Sequence, residues 1–270
     1  MLTRTFSGSV IRLQLPLLFL LALLPMKECR AQPVDTARFT LDLGLTGNVQ
    51  TGNFERLQFI NQLRLSLHSR DRRWNFLSRH LYLYQRVFGN ETQNDYLTHT
   101  FATRYLSPRL DVFGAIFLEK HLIKRIDLHT QFGAGVRYAL VKSPRAFMQL
   151  GLMGSYSNKR YLGANFADFD NGGDPTIEAF FLSPVLNTRF VLAPRRVYFN
   201  LLCLYQQDVT VSQNWRFNLE SALSMPVHGG LSLKISFNNF YENINLVGVR
   251  ANDTFLTYGL NLRIAAHDRP

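Results

Sequence analysis

Hydrophobic and polar side chains alternate with a period of two along most of this chain. Over 39–50, hydrophobic residues occupy mainly odd-numbered positions and polar residues or glycine the even-numbered ones, and 127–141 shows the same pattern with the parity reversed. The stretches 215–225 and 256–264 alternate in the same way. Because successive side chains of a β-strand point to opposite faces, this pattern predicts strands with one apolar and one polar face. The chain is therefore predicted to be all-β.

The alternating stretches and the turns between them predict about twelve antiparallel strands. Strands that cross a bilayer need ~9–11 residues, whereas strands of soluble proteins usually have ~5–6. Tight, basic turns alternate along the chain with links that are mostly longer or more acidic, at 89–94, 158–175, 207–213 and 245–253. Short turns on one rim and longer loops on the other are typical of transmembrane barrels. The predicted strands lie near 38–50, 54–69, 74–88, 95–106, 110–119, 127–141, 146–157, 177–192, 197–207, 214–226, 231–243 and 254–264.

Alternation alone does not decide whether the apolar faces meet lipid or form the core of a soluble protein. Aromatic residues such as Trp74 and Trp215 collect toward the predicted strand ends, as the girdles of a membrane barrel require. Gly44, Gly133 and Gly135 lie on the polar faces, where a crowded lumen benefits from missing side chains. These observations favour an antiparallel transmembrane β-barrel. A periplasmic lipid-binding β protein is the alternative.

The N-terminus has the layout of an export signal. Arg4 and Arg12 form a positive region, 13–24 is mostly apolar, and Cys29 and Ala31 place small residues at the two positions that signal peptidase inspects. The apolar run is too short to span ~30 Å of hydrocarbon as a helix, which disfavours an uncleaved anchor. We expect export through a Sec-type signal to the outer membrane of a Gram-negative cell. The predicted domains are a signal peptide at 1–31 and an outer-membrane barrel at 32–270.

Composition and charge narrow the possible partners. Hydrophobic residues make up 46% and aromatic residues 13% of the chain, which excludes a disordered protein. Four bases and one acid lie in 1–31, so the 30 bases and 19 acids of the whole chain become 26 and 18 after cleavage, a charge of about +8. The bases are spread over many turns, so we do not expect a nucleic acid partner. Cys203 is the one cysteine left after cleavage, which excludes an intramolecular disulfide.

Two segments resemble a known family. The sequence GLTGNVQTGN at 44–53 and the sequence QFGAGVRY at 131–138 resemble the first hairpin and the central glycine-rich strand of the salt-induced outer-membrane protein family, domain of unknown function 481. The resemblance spans most of the mature chain and implies an outer-membrane barrel, with no established reaction to carry over. Thr257, Gly259, Leu262 and Ile264 resemble the signal read by the barrel-assembly machinery, which we expect as a partner during insertion.

Charged side chains on the polar faces are the candidate site residues. Asp127 and His129 share a face two residues apart, close enough for a carboxylate to orient an imidazole. No nucleophile in a known hydrolase pattern accompanies them, and Arg137 offers a compensating charge, so we expect a structural charge network and no catalysis. A barrel-embedded hydrolase that uses Asp127 and His129 is the alternative. The predicted lumen residues are Asp42, Arg64, His68, Asp127, His129, Arg137, Arg216 and Glu220.

The loop at 168–174 is rich in oxygen ligands of the kind that calcium prefers, but Glu178 is one position short of EF-hand spacing, so a plain surface loop is favoured. We expect neither a cofactor nor a metal.

The sequence thus predicts a monomeric, non-enzymatic barrel in contact with outer-membrane lipids and lipopolysaccharide. Its role is expected to be that of a narrow pore or an envelope-stress protein.

Overall fold

The computed structural model describes residues 37–50, 55–193, 197–228 and 230–267. The predicted signal peptide at 1–31 and the predicted turn at Arg195 and Arg196 lie outside these residues. Within them, no helix is long and apolar enough to cross a membrane. The described residues form twelve strands: β1 (Ala37–Gln50), β2 (Arg56–His68), β3 (Trp74–Val87), β4 (Asn90–Tyr105), β5 (Leu110–His121), β6 (Ile126–Lys142), β7 (Ala146–Tyr161), β8 (Thr176–Ala193), β9 (Val197–Asp208), β10 (Trp215–His228), β11 (Leu231–Glu242) and β12 (Asn252–His267).

The twelve strands close into a single antiparallel barrel. Each strand pairs with its neighbours in sequence, and β1 also pairs with β12, from Ala37 opposite His267 to Leu45 opposite Leu260. Closure gives each of these strands a partner on both sides, so none of the twelve forms a sheet edge. The predicted all-β, twelve-stranded antiparallel barrel is therefore confirmed.

The outer surface of the barrel is apolar and the interior is polar. Phe132, Val136 and Leu260 point outward and are 51%, 50% and 54% exposed, whereas Ser157 and Lys159 point inward and are fully buried. An apolar surface that surrounds a whole barrel is unfavourable in water and is stable where lipid covers it. The predicted outward orientation of the apolar faces is what a membrane-spanning barrel requires.

One predicted loop is wrong. The link expected at 89–94 is a two-residue turn of Phe88 and Gly89, and β4 begins at Asn90. Phe88 and Gly89 have φ angles of 49° and 77°, and this left-handed pair is typical of the tight hairpin turns that match strand twist. The residues that follow are polar on both faces because they lie near the rim, which concealed the strand from the alternation analysis.

The glycine-rich part of β6 lets an apolar cluster pack inside the lumen. A Cβ atom on Gly135 would collide with the carbonyl oxygen of Leu152 and with the ring of Phe113. Its absence allows the Phe113 ring to lie against the inner wall, where Arg137 covers it at 4.4 Å from the ring centroid. The buried members of this cluster are Phe113, Ala115, Phe117, Met153 and Leu204, with Phe101 and Val185 beside them.

Two long loops fold together at one rim of the barrel, which also carries the tight Phe88–Gly89 turn. An isolated bridge joins Phe166 of the loop 162–175 to Leu246 of the loop 243–251. Because these loops follow β7 and β11, which are four strands apart around the wall, the bridge spans part of the barrel mouth. Beneath it lies a second apolar cluster, made of Ile126, Tyr161, Phe166, Ile177, Ile244 and Leu246.

Candidate functional site

Contacts between strands that are not neighbours identify the side chains that meet inside the barrel. Arg79 on β3 donates a hydrogen bond of 3.0 Å to Glu220 on β10, five strands away around the wall. Lys234 on β11 donates one of 3.0 Å to Gln62 on β2. Both contacts cross the lumen, so they fix which strand faces are internal. Of the predicted lumen residues, the inner faces carry Asp42, Arg64, His68, His129, Arg137, Arg216 and Glu220.

Asp127 is the exception, and the predicted Asp127–His129 pair does not form. The register of β6 against β7 shifts between Ile126 and Leu128, so Asp127 occupies a β-bulge. The bulge shifts the alternation by one residue, so that Ile126 points into the lumen and Asp127 does not. Asp127 accepts a hydrogen bond of 2.8 Å from Nε of Arg160, which shares the outer face with Leu128.

His129 has different partners inside the lumen, supplied by the neighbouring strands. Its Nδ1 lies 3.0 Å from Oε2 of Glu119, and its Nε2 lies 3.0 Å from Oγ of Ser157. Nη1 of Arg216 also lies 3.3 Å from Nε2. Because arginine can only donate, Nε2 is the acceptor and the proton is on Nδ1, directed at Glu119. Ser157, His129 and Glu119 therefore form a continuous hydrogen-bonded chain.

A buried ion pair joins opposite walls just beneath the two long loops. Nζ of Lys159 lies 2.8 Å from both carboxylate oxygens of Glu242, and the lysine side chain is fully buried. Arg216 stacks on the ring of Phe181 in the same layer, 4.5 Å from its centroid. With Glu119, which lies nearby, the layer holds two cations and two anions, and such balance is what the low local dielectric requires of buried ions.

The turn between β5 and β6 adds a cation to this layer. Nζ of Lys124 lies 3.2 Å from Oδ2 of Asp253. Burial alone would lower the pKa of Lys124, but attraction to Glu242 and Glu119 outweighs it, so the pKa is raised above the ordinary 10.5. Lys124 thus stays charged at neutral pH and ties the turn to the strand ends.

Arg137 pairs with a carboxylate near the rim opposite the two long loops. Its Nε donates a hydrogen bond of 2.7 Å to Asp111, and its Nη2 donates one of 2.8 Å to Thr103. Gln149 donates to the other oxygen of Asp111 at 2.6 Å. Arg137 was expected to compensate Asp127, and it compensates Asp111 instead, because Asp111 lies directly opposite it on β5.

The remaining side of the lumen, along β12, β1, β2 and β3, is basic and carries exposed charged side chains. Asp42 accepts a hydrogen bond of 2.7 Å from Arg263, whose side chain is 54% exposed. Arg64 lies next to Asp42 in the β1–β2 register and is also exposed. Charged side chains that are inside a barrel yet accessible to water indicate a water-filled space there.

Two cavities lie in the lumen. The larger, of about 70 Å³, adjoins the His129 network and is lined by Glu119, His129 and Arg216 together with apolar side chains such as Phe117 and Leu204. The smaller, of about 20 Å³, lies on the basic side. Its lining consists of Gly44, Gln62, Lys234, Ser236, Thr257, Tyr258, Gly259 and Leu260.

The oxygen-rich loop does not assemble a cation site. Asp170 and Asp174 accept backbone hydrogen bonds from Gly172 and Thr176, and Asn171 donates to backbone carbonyls. In the described part of the chain, no three His, Cys, Asp or Glu side chains lie close enough to hold a metal ion. The polar groups of the loop stabilise its turns.

Several lumen residues were missed by the sequence analysis: Glu119, Ser157, Lys159, Lys234 and Glu242. Four of them lie on the polar face of a predicted strand or at its end, so the alternation could have marked them as internal. Lys159 falls in the predicted link 158–175, because β7 continues four residues beyond the predicted strand, to Tyr161. Their pairing could not be predicted, because Lys159 and Glu242 are separated by 83 residues in sequence.

A closed barrel with an apolar exterior and a charged interior defines the class of transmembrane β-barrels. Residues 42–263 match the family described as "Protein of unknown function, DUF481", and the chain belongs to this family. That description confirms domain of unknown function 481, while the salt-induced name stays a prediction. The comparison with curated proteins found no match.

Several solved structures are similar to this chain at a low level. The NanC porin matches with a TM-score of 0.47 and 10% identity, over 84% of this chain and 98% of that chain. An outer-membrane channel from Pseudomonas putida F1 matches with a TM-score of 0.41 and 12% identity, over 88% and 98%. A bacterial polysaccharide outer-membrane secretin matches with a TM-score of 0.42 and 6% identity, over 86% and 99%. Similarities at this level are too distant to assign a function.

Proposed function

We propose that this protein is a narrow, non-enzymatic pore of the outer membrane. The observation that carries the proposal is the exposure of Arg64 and Arg263 inside a closed barrel whose outer wall is apolar. Ions buried without water would need close partners, whereas a water-filled passage allows them to stay hydrated. The accessibility of these two side chains to water supports a passage along β12, β1, β2 and β3.

The packing of the other half of the lumen supports a narrow passage. The apolar cluster around Phe113 and Phe117 fills the middle of that half, and the Lys159–Glu242 pair lies above it. The two long loops then cover this part of the mouth. The passage that remains is therefore confined to the other side of the lumen, which supports a narrow pore.

The outer membrane of a Gram-negative cell is the proposed location, and it rests on the barrel form and the predicted export signal. There the protein would be a monomer, surrounded by lipids and lipopolysaccharide after insertion by the barrel-assembly machinery. Fractionation tests the location. The protein should remain with outer membranes after carbonate and urea washing, and release by either wash would contradict the proposal.

The pore is tested by conductance in planar bilayers. Protein whose folding is verified by its shifted mobility on unheated gels should produce discrete, small conductance steps. If folded protein that has been shown to enter vesicles leaves bilayers electrically silent, the pore proposal is wrong.

A second candidate function, ester hydrolysis, is favoured by the hydrogen-bonded chain of Ser157, His129 and Glu119. The atoms correspond to a nucleophile, a base and an orienting carboxylate, with both hydrogen bonds at 3.0 Å. This set differs from the Asp127–His129 pair considered from sequence. Against it, Ser157 is fully buried and does not line the larger cavity, so the pore remains our conclusion.

Hydrolysis of p-nitrophenyl acetate by the folded protein separates the two functions. The pore proposal predicts background rates for the wild type and for Ser157→Ala alike. Ser155→Ala is the matched control, since Ser155 lies on the same inner face and binds Gln131 instead of His129. Activity that disappears with Ser157→Ala and persists with Ser155→Ala would establish the hydrolase.

A further inference from the structure

Four neighbouring strands carry charged inner side chains in one continuous row. The register places Arg263 opposite Asp42, Asp42 opposite Arg64, and Arg64 opposite Arg79. Side chains directly opposite on adjacent strands have Cβ atoms roughly 4.5–5.5 Å apart, and like charges there repel. The fold therefore brings Arg64 and Arg79 together against electrostatic repulsion.

The nearby carboxylates are already bound to other cations. Asp42 accepts hydrogen bonds from Nε and Nη2 of Arg263, at 2.7 and 3.4 Å. Glu220 accepts one from Nη1 of Arg79. Among the described residues, no hydrogen bond joins Arg64 to either carboxylate, and Nε of Arg79 is buried without a hydrogen-bond partner. Donor groups are thus left over at the point where the positive charges meet.

Further bases add to the positive charge of this region. Arg189 and Lys234 both lie close enough to interact electrostatically with Arg64. The hydrogen bond from Lys234 goes to the amide oxygen of Gln62, which carries no charge to neutralise the lysine, so Lys234 shares Asp42 and Glu220 with the arginines. Five bases face two acids here, which leaves three excess positive charges inside a wall of low dielectric constant. Such a region attracts anions.

The region also adjoins a small cavity. The cavity of about 20 Å³ lies beside the row, lined in part by Gly44 and Gly259, which project no side chain into it. Ser236 and Thr257 line it as well and provide hydroxyl donors. Arg64 itself is accessible to water, so an anion that enters the lumen can reach it.

We propose that Arg64, Arg79 and Lys234 form a binding site for a small oxyanion, of the phosphate or carboxylate type. A guanidinium group presents paired donors that match the oxygens of such an anion, and the bound charge offsets the repulsion between the two arginines. The proposal rests on the proposed pore only in requiring that anions reach the lumen. It gives that pore a preference for anions.

Equilibrium dialysis with radiolabelled phosphate tests the site in folded protein held in detergent, at constant ionic strength set with sodium chloride. Wild-type protein should bind phosphate saturably, and acetate should compete if the site accepts carboxylates as well. Arg64→Gln should weaken binding about 10- to 100-fold, the effect of losing a charged hydrogen-bond donor. Arg64→Lys keeps the charge but lacks the paired donors, so its affinity for phosphate should lie between those of the wild type and Arg64→Gln.

Arg104→Gln is the matched control. It removes the same charge from the exposed outer face of β4, where Arg104 lies over the ring of Trp74, and it should bind phosphate like the wild type. Absence of saturable binding, or equal binding by Arg64→Gln and the wild type, would overturn the site. Phosphate binding by a protein that shows no conductance would support the site and refute the pore. Conductance without phosphate binding would support the pore and refute the site.

Discussion

Nζ of Lys159 on β7 lies 2.8 Å from both carboxylate oxygens of Glu242 on β11, and this fully buried lysine holds opposite walls of the barrel together. Lys159→Met leaves the Glu242 carboxylate buried and unpaired, and should lower the free energy of unfolding by ~3–5 kcal/mol. The double variant Lys159→Met with Glu242→Leu should recover most of that loss. The free energy of unfolding of the single and the double variant is measured by urea titration, with gel mobility reporting the folded fraction.

The neighbouring residue provides the control for this prediction. Arg160 pairs with Asp127 on the outer face, where the two side chains are 56% and 33% exposed. Arg160→Met should cost no more than ~1 kcal/mol. Equal losses from Lys159→Met and Arg160→Met would contradict the assignment of inner and outer faces on β7.

The second prediction concerns the glycines of the packed half of the lumen. Gly135→Ala places a methyl group against the Leu152 carbonyl oxygen and the Phe113 ring, so it should destabilise the barrel by ~1–3 kcal/mol. A Cβ atom on Gly154 would meet no other atom within 4 Å among the described residues, and Gly154→Ala should leave the urea midpoint unchanged. A similar midpoint for both variants would show that β6 is not packed as described.

The pH dependence of stability follows from Lys124. Its pKa is raised in the folded protein, so its contribution is complete below the unfolded value and is lost as the pH rises through the folded value. The stability difference between wild type and Lys124→Met should therefore stay constant from pH 7 to about 10 and shrink above about 10.5. Urea midpoints measured across this range check it, and a difference that shrinks already near neutral pH would be inconsistent with the raised pKa.

The two rims of the barrel should lie on opposite sides of the membrane. Long loops of outer-membrane barrels face the outside and short turns the periplasm. An epitope tag inserted after Gly172, in the loop 162–175, should therefore be detected by antibody on intact cells. A tag after Arg109, in the turn between β4 and β5, should be detected only after permeabilisation. Detection of the Arg109 tag on intact cells would reverse the topology.

The fold was predictable because the alternation of side chains is a local property of each strand. The stretch 39–50, for example, marks β1 from its own sequence, whichever strands pair with it. The structure departs from the prediction where a local irregularity intervenes. At Asp127 a single bulged residue shifts the phase of β6, and at Asn90 a two-residue turn begins β4 early.

The candidate site was less predictable, because the barrel closure determines which internal residues meet. Glu119, His129 and Ser157 come from three different strands, and their hydrogen bonds depend on the register between them. The row through Arg64 depends on the pairing of β1 with β12, which joins the two ends of the chain. A sequence pattern specifies the face of each residue but not its partner across the lumen.

Cysteine accessibility along β2 tests most directly the claim that the polar face lines a water-filled lumen and the apolar face meets lipid. Leu63→Cys, Arg64→Cys and Leu65→Cys would be made with Cys203→Ser, which removes the free thiol of the barrel. In lipid vesicles, a charged, water-soluble maleimide should label position 64 and leave 63 and 65 unlabelled. Labelling of 63 and 65 with protection of 64, or equal labelling of all three, would contradict the account.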